Sequence, residues 1–286
     1  MGRIVYVNGE FVPEEAAKVS VFDRGFLFAD GVYEVTPILN GRLIENAPHM
    51  ARLQRSLGEL KMPSPVPVAD IPALMEELVR RNGVEEGTIY LQITRGPADR
   101  DFAFPAEPKP SLVMFTQARP IRDTKAAREG IRVVTLPDLR WGRRDIKTVQ
   151  LLAASMAKMA AKEAGADDAW MVQDGFVTEG SSNNVWIVTR DGVLVTRQLS
   201  NDILHGITRA AVLRLAAEAQ LRVEERPFTV AEAQAAAEAF YTSASAFVTP
   251  VVAVDGAALG EGRPGPVARR LREIYLDAAM AEAGAA

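Results

Sequence analysis

Lys147, in Asp145-Ile146-Lys147, and Glu179, in Val177-Thr178-Glu179-Gly180-Ser181-Ser182-Asn183-Asn184, are an amine nucleophile and an acid separated along the chain by one apolar helix. An amine can hold a carbonyl cofactor as an imine and a carboxylate can keep a ring nitrogen protonated, so the pair suits pyridoxal phosphate chemistry. A phosphorylated cofactor also needs an anion cradle. Gly206-Ile207-Thr208-Arg209 opens a helix whose first backbone N–H groups and Thr208 hydroxyl can hold a phosphate, and the Ser243-Ala244-Ser245 turn is a second candidate. Each feature has an ordinary explanation when taken singly. Ser and Thr near helix starts are usually caps, Lys147 can be a solvated charge beside an apolar helix, Glu179 a turn residue, and Arg52 a surface partner for Glu59. Their joint occurrence in this order favours the chemical explanation.

The elements that must position these residues can be read from pattern. Asn8-Gly9 and Asn40-Gly41 punctuate strand-like runs and predict antiparallel hairpins. Asn46 is expected to cap a helix with Pro48 in its first turn and Met50, Leu53, Leu57 and Leu60 on its core face, leaving Arg52 and Arg55 off the stripe. A second helix runs from Asp70 to the Asn82-Gly83 stop. A strand at 88–94 is followed by a long loop with Gly96, Arg100, Phe102 and four prolines, and then by a strand at 111–115. Residues 119–125 read as a linker. The division expected is a small N-terminal α/β domain at 1–120 and a larger C-terminal α/β domain at 121–286 carrying the lysine. In the second half, strands at 131–136, 169–172, 185–188 and 193–195, with Asp174-Gly175 and Asp191-Gly192 turns, alternate with helices at 149–164, 207–220, 229–237 and 264–283. The fold class expected is mixed α/β with much antiparallel sheet.

At 286 residues the chain has room for two domains or one large one. It carries 33 Lys plus Arg against 37 Asp plus Glu, a formal net charge of −4, with no block of like charge, which argues against a nucleic-acid partner. Zero Cys and two His exclude a disulfide framework and disfavour a thiolate or imidazole metal site. The chain opens straight into a polar turn and has no run of membrane-spanning length, so neither signal peptide nor membrane is expected and a cytoplasmic location is. Tyr6 stands where a lipidation signal would need Ser or Thr.

Several motifs together make the chain recognisable: Phe28-Ala29-Asp30-Gly31-Val32-Tyr33-Glu34, His49-Met50-Ala51-Arg52-Leu53, Thr94-Arg95-Gly96, Arg140-Trp141 through Lys147, Thr178 through Asn184, Leu204-His205-Gly206-Ile207-Thr208-Arg209, and Thr242-Ser243 with Thr249-Pro250. Over essentially its full length it resembles the fold-type IV pyridoxal-phosphate aminotransferases, the D-amino-acid type most of all. The resemblance implies that Lys147 forms the internal aldimine and then shuttles a proton. That second role needs a neutral amine, and burial or neighbouring cations, with Arg140, Arg143 and Arg144 as candidates, would favour it. It implies Glu179 on the pyridine nitrogen and Leu204 against the ring. Arg52, Ile207, Thr208 and Ser243, with Ala244 where relatives carry Thr, are implied around the phosphate. Tyr33 and Arg100 are implied on the substrate carboxylate. Phe102 replaces the family's His, removing a donor from that carboxylate trap. His49 and His205 are expected to be structural.

The activity implied is transfer of an amino group from a D-amino acid to a 2-oxo acid such as 2-oxoglutarate or pyruvate, by a homodimer. Alternatives on the same scaffold are L-branched-chain or R-selective amine transamination and aminodeoxychorismate lysis. A catalytically silent cofactor-binding protein is a remote one.

Overall fold

The computed structural model describes residues 2–284, so Met1, where a leader or lipidation signal was sought, and residues 285 and 286 lie outside the described residues. The chain divides into two compact units: Met1–Pro120 with Ile146–Gln150 and Ala279–Ala286, and Ile121–Asp145 with Leu151–Ala278.

The first unit contains β1 (Ile4–Val7), β2 (Glu10–Pro13), α1 (Arg24–Phe28), β3 (Gly31–Leu39), β4 (Arg42–Leu43), α2 (Asn46–Glu59), α3 (Ile71–Asn82), β5 (Glu86–Thr94) and β6 (Ser111–Ala118). The strands form one sheet in the order β2-β1-β6-β5-β3-β4, antiparallel at every pairing. The Asn-Gly dipeptides make the hairpins the sequence predicts: Asn40 and Gly41 take φ of 49° and 71°, the left-handed pair of a tight turn whose twist matches its strands. Helix α2 buries Met50, Leu53 and Leu57 as its spacing predicts. Its start differs from expectation. Glu45, at φ 52°, precedes the helix without a side-chain cap, and Asn46 is already helical, so it cannot bridge to the N–H groups ahead of it.

The segment Ile146–Gln150 departs from the expected division, for it clusters with the first unit although Lys147 was assigned to the second. Backbone pairing accounts for this: Tyr33 N–H donates to the Lys147 carbonyl at 3.0 Å and Val149 N–H to the Gly31 carbonyl at 3.1 Å, on the edge of β3 left open beyond the two-residue β4. It also explains why the Ala-rich helix begins at Leu152 and not at residue 149.

The second unit contains α4 (Lys125–Glu129), β7 (Ile131–Pro137), α5 (Leu152–Glu163), β8 (Asp168–Gln173), β9 (Phe176–Gly180), β10 (Asn184–Val188), β11 (Leu194–Thr196), α6 (Ile207–Glu218), β12 (Val223–Glu225), α7 (Val230–Ala235), β13 (Glu238–Ser243), β14 (Phe247–Val254), β15 (Ala257–Ala258) and, up to Ala278, α8 (Pro266–Gly284). Its sheet runs β12-β11-β10-β13-β14-β7-β8-β9, with β15 added beside β14. Pairing is parallel at β11–β12, β14–β7 and β7–β8 and antiparallel elsewhere. Trp170, Trp186, Phe228 and Phe240 fill its core. The end of the expected linker is helical: the Thr124 side chain accepts from Ala127 N–H and starts α4. The mixed α/β class with much antiparallel sheet is as the sequence predicts.

Candidate active site

The predicted site side chains fall into two groups, one in each unit. In the first, strand alternation on β3 sends Glu34 and Tyr33 to opposite faces. Glu34, 1% exposed, is clasped by α2: Arg52 donates from Nε at 2.8 Å and Nη2 at 2.7 Å, and His49 Nδ1 lies 2.7 Å from its Oε2. Burial would raise the Glu34 pKa, but the Arg52 guanidinium and the hydrogen bonds from Arg52 and His49 outweigh it and hold the carboxyl at about 2. Burial pushes His49 below its ordinary value, helped by the Arg52 and Lys147 charges and opposed by Glu34. A neutral ring facing a carboxylate carries its proton on Nδ1. Its buried Nε2 has no hydrogen-bond partner.

On the other face of β3, Tyr33 stacks on Tyr90 at 5.5 Å and Tyr90 on Phe115 at 4.8 Å. Lys147 Nζ sits 4.1 Å from the Tyr33 ring centroid, so the structure brings these two predicted residues together. Arg52, expected off the core stripe, is buried on Glu34, while Arg55 reaches Glu59 at 3.9 Å. Arg100 lies on the exposed loop between β5 and β6, its guanidinium 5.5 Å from the Phe28 ring and 5.7 Å from that of Phe102.

In the second unit Glu179, on β9, is 3% exposed and takes three donors: Arg140 Nη1, Asn184 Nδ2 at 2.9 Å, and Leu204 N–H at 3.2 and 3.1 Å to its two oxygens. Burial raises its pKa, and the Arg140 guanidinium and the Leu204 N–H oppose that. Donors converging on both oxygens describe the ionised carboxylate. Asp138 in turn fixes Arg140, at 3.0 Å to Nε and 2.7 Å to Nη2, and accepts from the Thr178 hydroxyl at 2.7 Å. Leu204 thus meets Glu179 through its backbone.

Asn184 is the hub of this group. It pairs with Thr242 across β10 and β13, and its Nδ2 also donates to the Leu204 carbonyl at 2.9 Å. A Cβ at Gly206 would run into the Asn184 Oδ1. Gly206 is therefore the N-cap of α6 without a capping side chain, and the Thr208 hydroxyl in the first turn is buried with no partner. Open N–H groups beside an orphaned hydroxyl fit a phosphate. Ile207, Ser243 and Ala244 are half-buried, Ser243 ending β13 one residue after Thr242.

Of the arginines that are candidates for helping to keep Lys147 neutral, Arg140 pairs with Asp138 and Glu179, Arg143 with Asp145 at 2.9 Å, and Arg144 with Gln173 at 2.7 Å and Asp138 at 3.4 Å. Arg140 and Asn184 hold Glu179, a contact that the motifs containing both do not reveal. The Glu34–His49–Arg52 cluster was missed as a unit, because no local pattern ties a strand to a helix face. His205 Nε2 lies 3.2 Å from the Ser200 carbonyl. Among the described residues no group of three or more His, Asp or Glu side chains is placed to hold a metal ion, and no helix is long and apolar enough to cross a membrane.

The amino-transferase class IV family matches residues 31–254. Among similar proteins, a D-alanine aminotransferase of Staphylococcus aureus (strain N315) is 38% identical over 272 residues, 95% of this chain and 96% of that one. A D-alanine aminotransferase of Bacillus licheniformis is 38% identical over 279 residues, 97% and 98% of the two chains. Among solved structures, a T.th. branched-chain amino acid aminotransferase with pyridoxamine 5'-phosphate superposes with a TM-score of 0.89 at 29% identity, covering 98% of this chain and 94% of that one. With the family matched over residues 31–254 and relatives at 38% identity aligned over 95% or more of both chains, the chain belongs to the class IV amino-transferases.

Proposed function

We propose that this aminotransferase uses pyridoxal 5'-phosphate to move an amino group from a D-amino acid of the D-alanine kind to a 2-oxo acid such as 2-oxoglutarate or pyruvate. One observation carries the cofactor assignment: a buried, triply bonded Glu179 shares a unit with the uncapped start of α6, giving an acid for a pyridine nitrogen and a cradle for a phosphate. The D preference rests on 38% identity to D-alanine aminotransferases over nearly the whole chain.

When bound, the cofactor draws into its ring the electron pair left on the substrate Cα. Lys147 would hold the cofactor through an imine at Nζ, and the same Nζ, freed by substrate, would serve as the base for the substrate Cα proton. Glu179 keeps the ring nitrogen protonated, and Arg140 and Asn184 keep Glu179 ionised and aimed. Thr208, Ile207, Ser243 and the Ala244 backbone would bind the phosphate with Arg52, whose fork on Glu34 fixes its direction. Leu204 would lie against the ring. Tyr33 and Arg100 bind the substrate carboxylate. A homodimer in the cytoplasm completes the proposal, the dimer supported by apolar surface on both units.

Two measurements test this. Borohydride reduction of the yellow protein should leave the cofactor on the peptide containing Lys147, and an adduct elsewhere removes the assignment. In a single half-reaction D-alanine should bleach the absorbance band while L-leucine and an R-amine leave it. Bleaching by L-leucine instead would transfer the activity to the branched-chain type.

A further inference from the structure

The loop between β5 and β6, residues 97–110, has no regular secondary structure and is largely exposed, yet it carries Arg100 and Phe102. Such a segment keeps one shape only if something outside it takes up its backbone groups. At the start of the loop Ala98 N–H donates to the Phe22 carbonyl at 3.1 Å, and further along the partner is Arg24, the opening residue of α1. Its side chain is 3% exposed, and Nη1 donates to the Asp101 carbonyl at 2.6 Å and the Ala103 carbonyl at 3.3 Å, clamping the chain on both sides of Phe102.

The clamp is itself held. Arg24 Nε donates to Asp30 Oδ2 at 2.8 Å, and Arg95 Nε donates to the same oxygen at 2.8 Å while its Nη1 and Nη2 reach the Lys61 and Leu60 carbonyls at 3.2 and 3.0 Å. Aromatic faces cover both cations: Arg24 lies 4.5 Å from the Phe28 centroid and Arg95 3.7 Å from that of Phe104. Phe28 also meets Phe102 edge to face at 5.6 Å and the Arg100 guanidinium at 5.5 Å. Arg24 therefore reaches Arg100 by two routes, through the loop backbone one residue away and through the ring both guanidiniums touch. A lysine could keep the charge on Asp30 but not the planar fork that serves a carboxylate and two carbonyls at once.

We propose that Arg24 is a positioning residue for substrate recognition: it sets the place of Arg100 and Phe102 and so the affinity for the substrate's α-carboxylate, without touching substrate itself. This rests on Arg100 being the residue that binds that carboxylate.

The experiment uses the cofactor-loaded enzyme and compares Arg24→Met, Arg24→Lys, Arg100→Ala and the double variant Arg24→Met/Arg100→Ala. Arg24→Met leaves Asp30 paired with Arg95. Expected is a rise of about tenfold in the D-alanine KM for Arg24→Met, with kcat within about twofold, since small misplacement of a binding group weakens capture before it affects chemistry. In the Arg100→Ala background the Arg24 change should add nothing further, because its effect passes through Arg100. A wild-type KM in Arg24→Met beside a raised KM in Arg100→Ala overturns the proposal. An unchanged KM in Arg100→Ala shows instead that Arg100 does not bind the carboxylate. If Arg24→Met fails to fold, Arg24→Lys decides: a raised KM at wild-type melting temperature supports the clamp, and a wild-type KM overturns it.

Discussion

At the scale of single residues, two buried acids behave differently because of the donors they meet. Burial pushes the Glu179 pKa up, Arg140 and the Leu204 N–H oppose that in part, and together with Asn184 they aim both its oxygens, the arrangement a partner for a ring nitrogen needs. Glu179→Gln keeps the shape and removes the charge. We expect it to retain cofactor and to slow the half-reaction by at least about a hundredfold, the scale on which a misaligned electrostatic partner acts. Stopped-flow absorbance checks this, and a rate within about tenfold of wild type excludes the role. Glu34 has the stronger partners, and with His49 it makes stability depend on pH. Both groups bind fewer protons folded than unfolded, so stability rises with pH. The His49 share is present above its ordinary 6.5 and declines as pH falls below it. The Glu34 share is present above 4.5 and disappears as pH falls toward about 2, a contribution of about 3 kcal/mol on the usual 1.36 kcal/mol per pKa unit. Urea midpoints at pH 7.5 and 5.5 should fall in the wild type and fall less in His49→Gln. Equal slopes in the two proteins would clear His49 of the effect.

Elements were legible where one dipeptide or one periodic face decides them. Asn8-Gly9, Asn40-Gly41 and Asp174-Gly175 made their hairpins, and Met50, Leu53 and Leu57 of the α2 stripe are buried, whereas Leu60 is half-buried at the C-cap and Arg52, off the stripe, is buried too. Asp255-Gly256, with φ of 49° and 80°, turns β14 into β15 by the same rule and was passed over. Helix α1 was invisible because five residues show no period; it exists through the Asp23 carboxylate on Gly25 N–H and Ala29 at φ 54°. Candidate residues can be picked from the sequence and their contacts cannot: Lys147, Glu179 and Thr208 stand out by type and motif, whereas Arg140 on Glu179 and Arg52 on Glu34 are pairs that only the folded chain brings together. Crowding, too, is invisible before folding. Gly96 and Gly175 share left-handed φ values of 87° and 83°, but a Cβ at Gly96 would overlap the Lys109 carbonyl while Gly175 faces open space. Gly175→Ala should cost about 1 kcal/mol, the backbone term alone. Gly96→Ala should cost upward of about 3 kcal/mol, as strain adds to displacement of the loop that carries Arg100. Melting temperatures of the two variants test the difference, and equal losses would show that the loop yields freely.

At the scale of the whole molecule, the surface argues for a second copy. Isolated exposed apolar side chains are normal, but a run at helical spacing needs cover. On α5, Leu152, Met156 and Met159 recur at steps of four and three with exposures of 75%, 60% and 53%, an apolar face turned outward on a helix that buries only Ala161. The first unit exposes Val21, Phe22 and Phe26 within six residues of chain. A net charge of only −4 offers little repulsion between copies. Light scattering at micromolar concentration should therefore give twice the chain mass of 31.0 kDa. Leu152→Asp with Met156→Asp places two charges in that face and should shift the mass toward one chain, since an unpaired charge buried in an interface costs several kcal/mol. The exposed stripe makes these substitutions harmless to the fold of the isolated chain, so the melting transition should survive while the assembly does not. A mass of one chain for the wild type at every concentration would mean that the stripe serves some other contact, and a dimer unmoved by the double substitution would place the interface on another face.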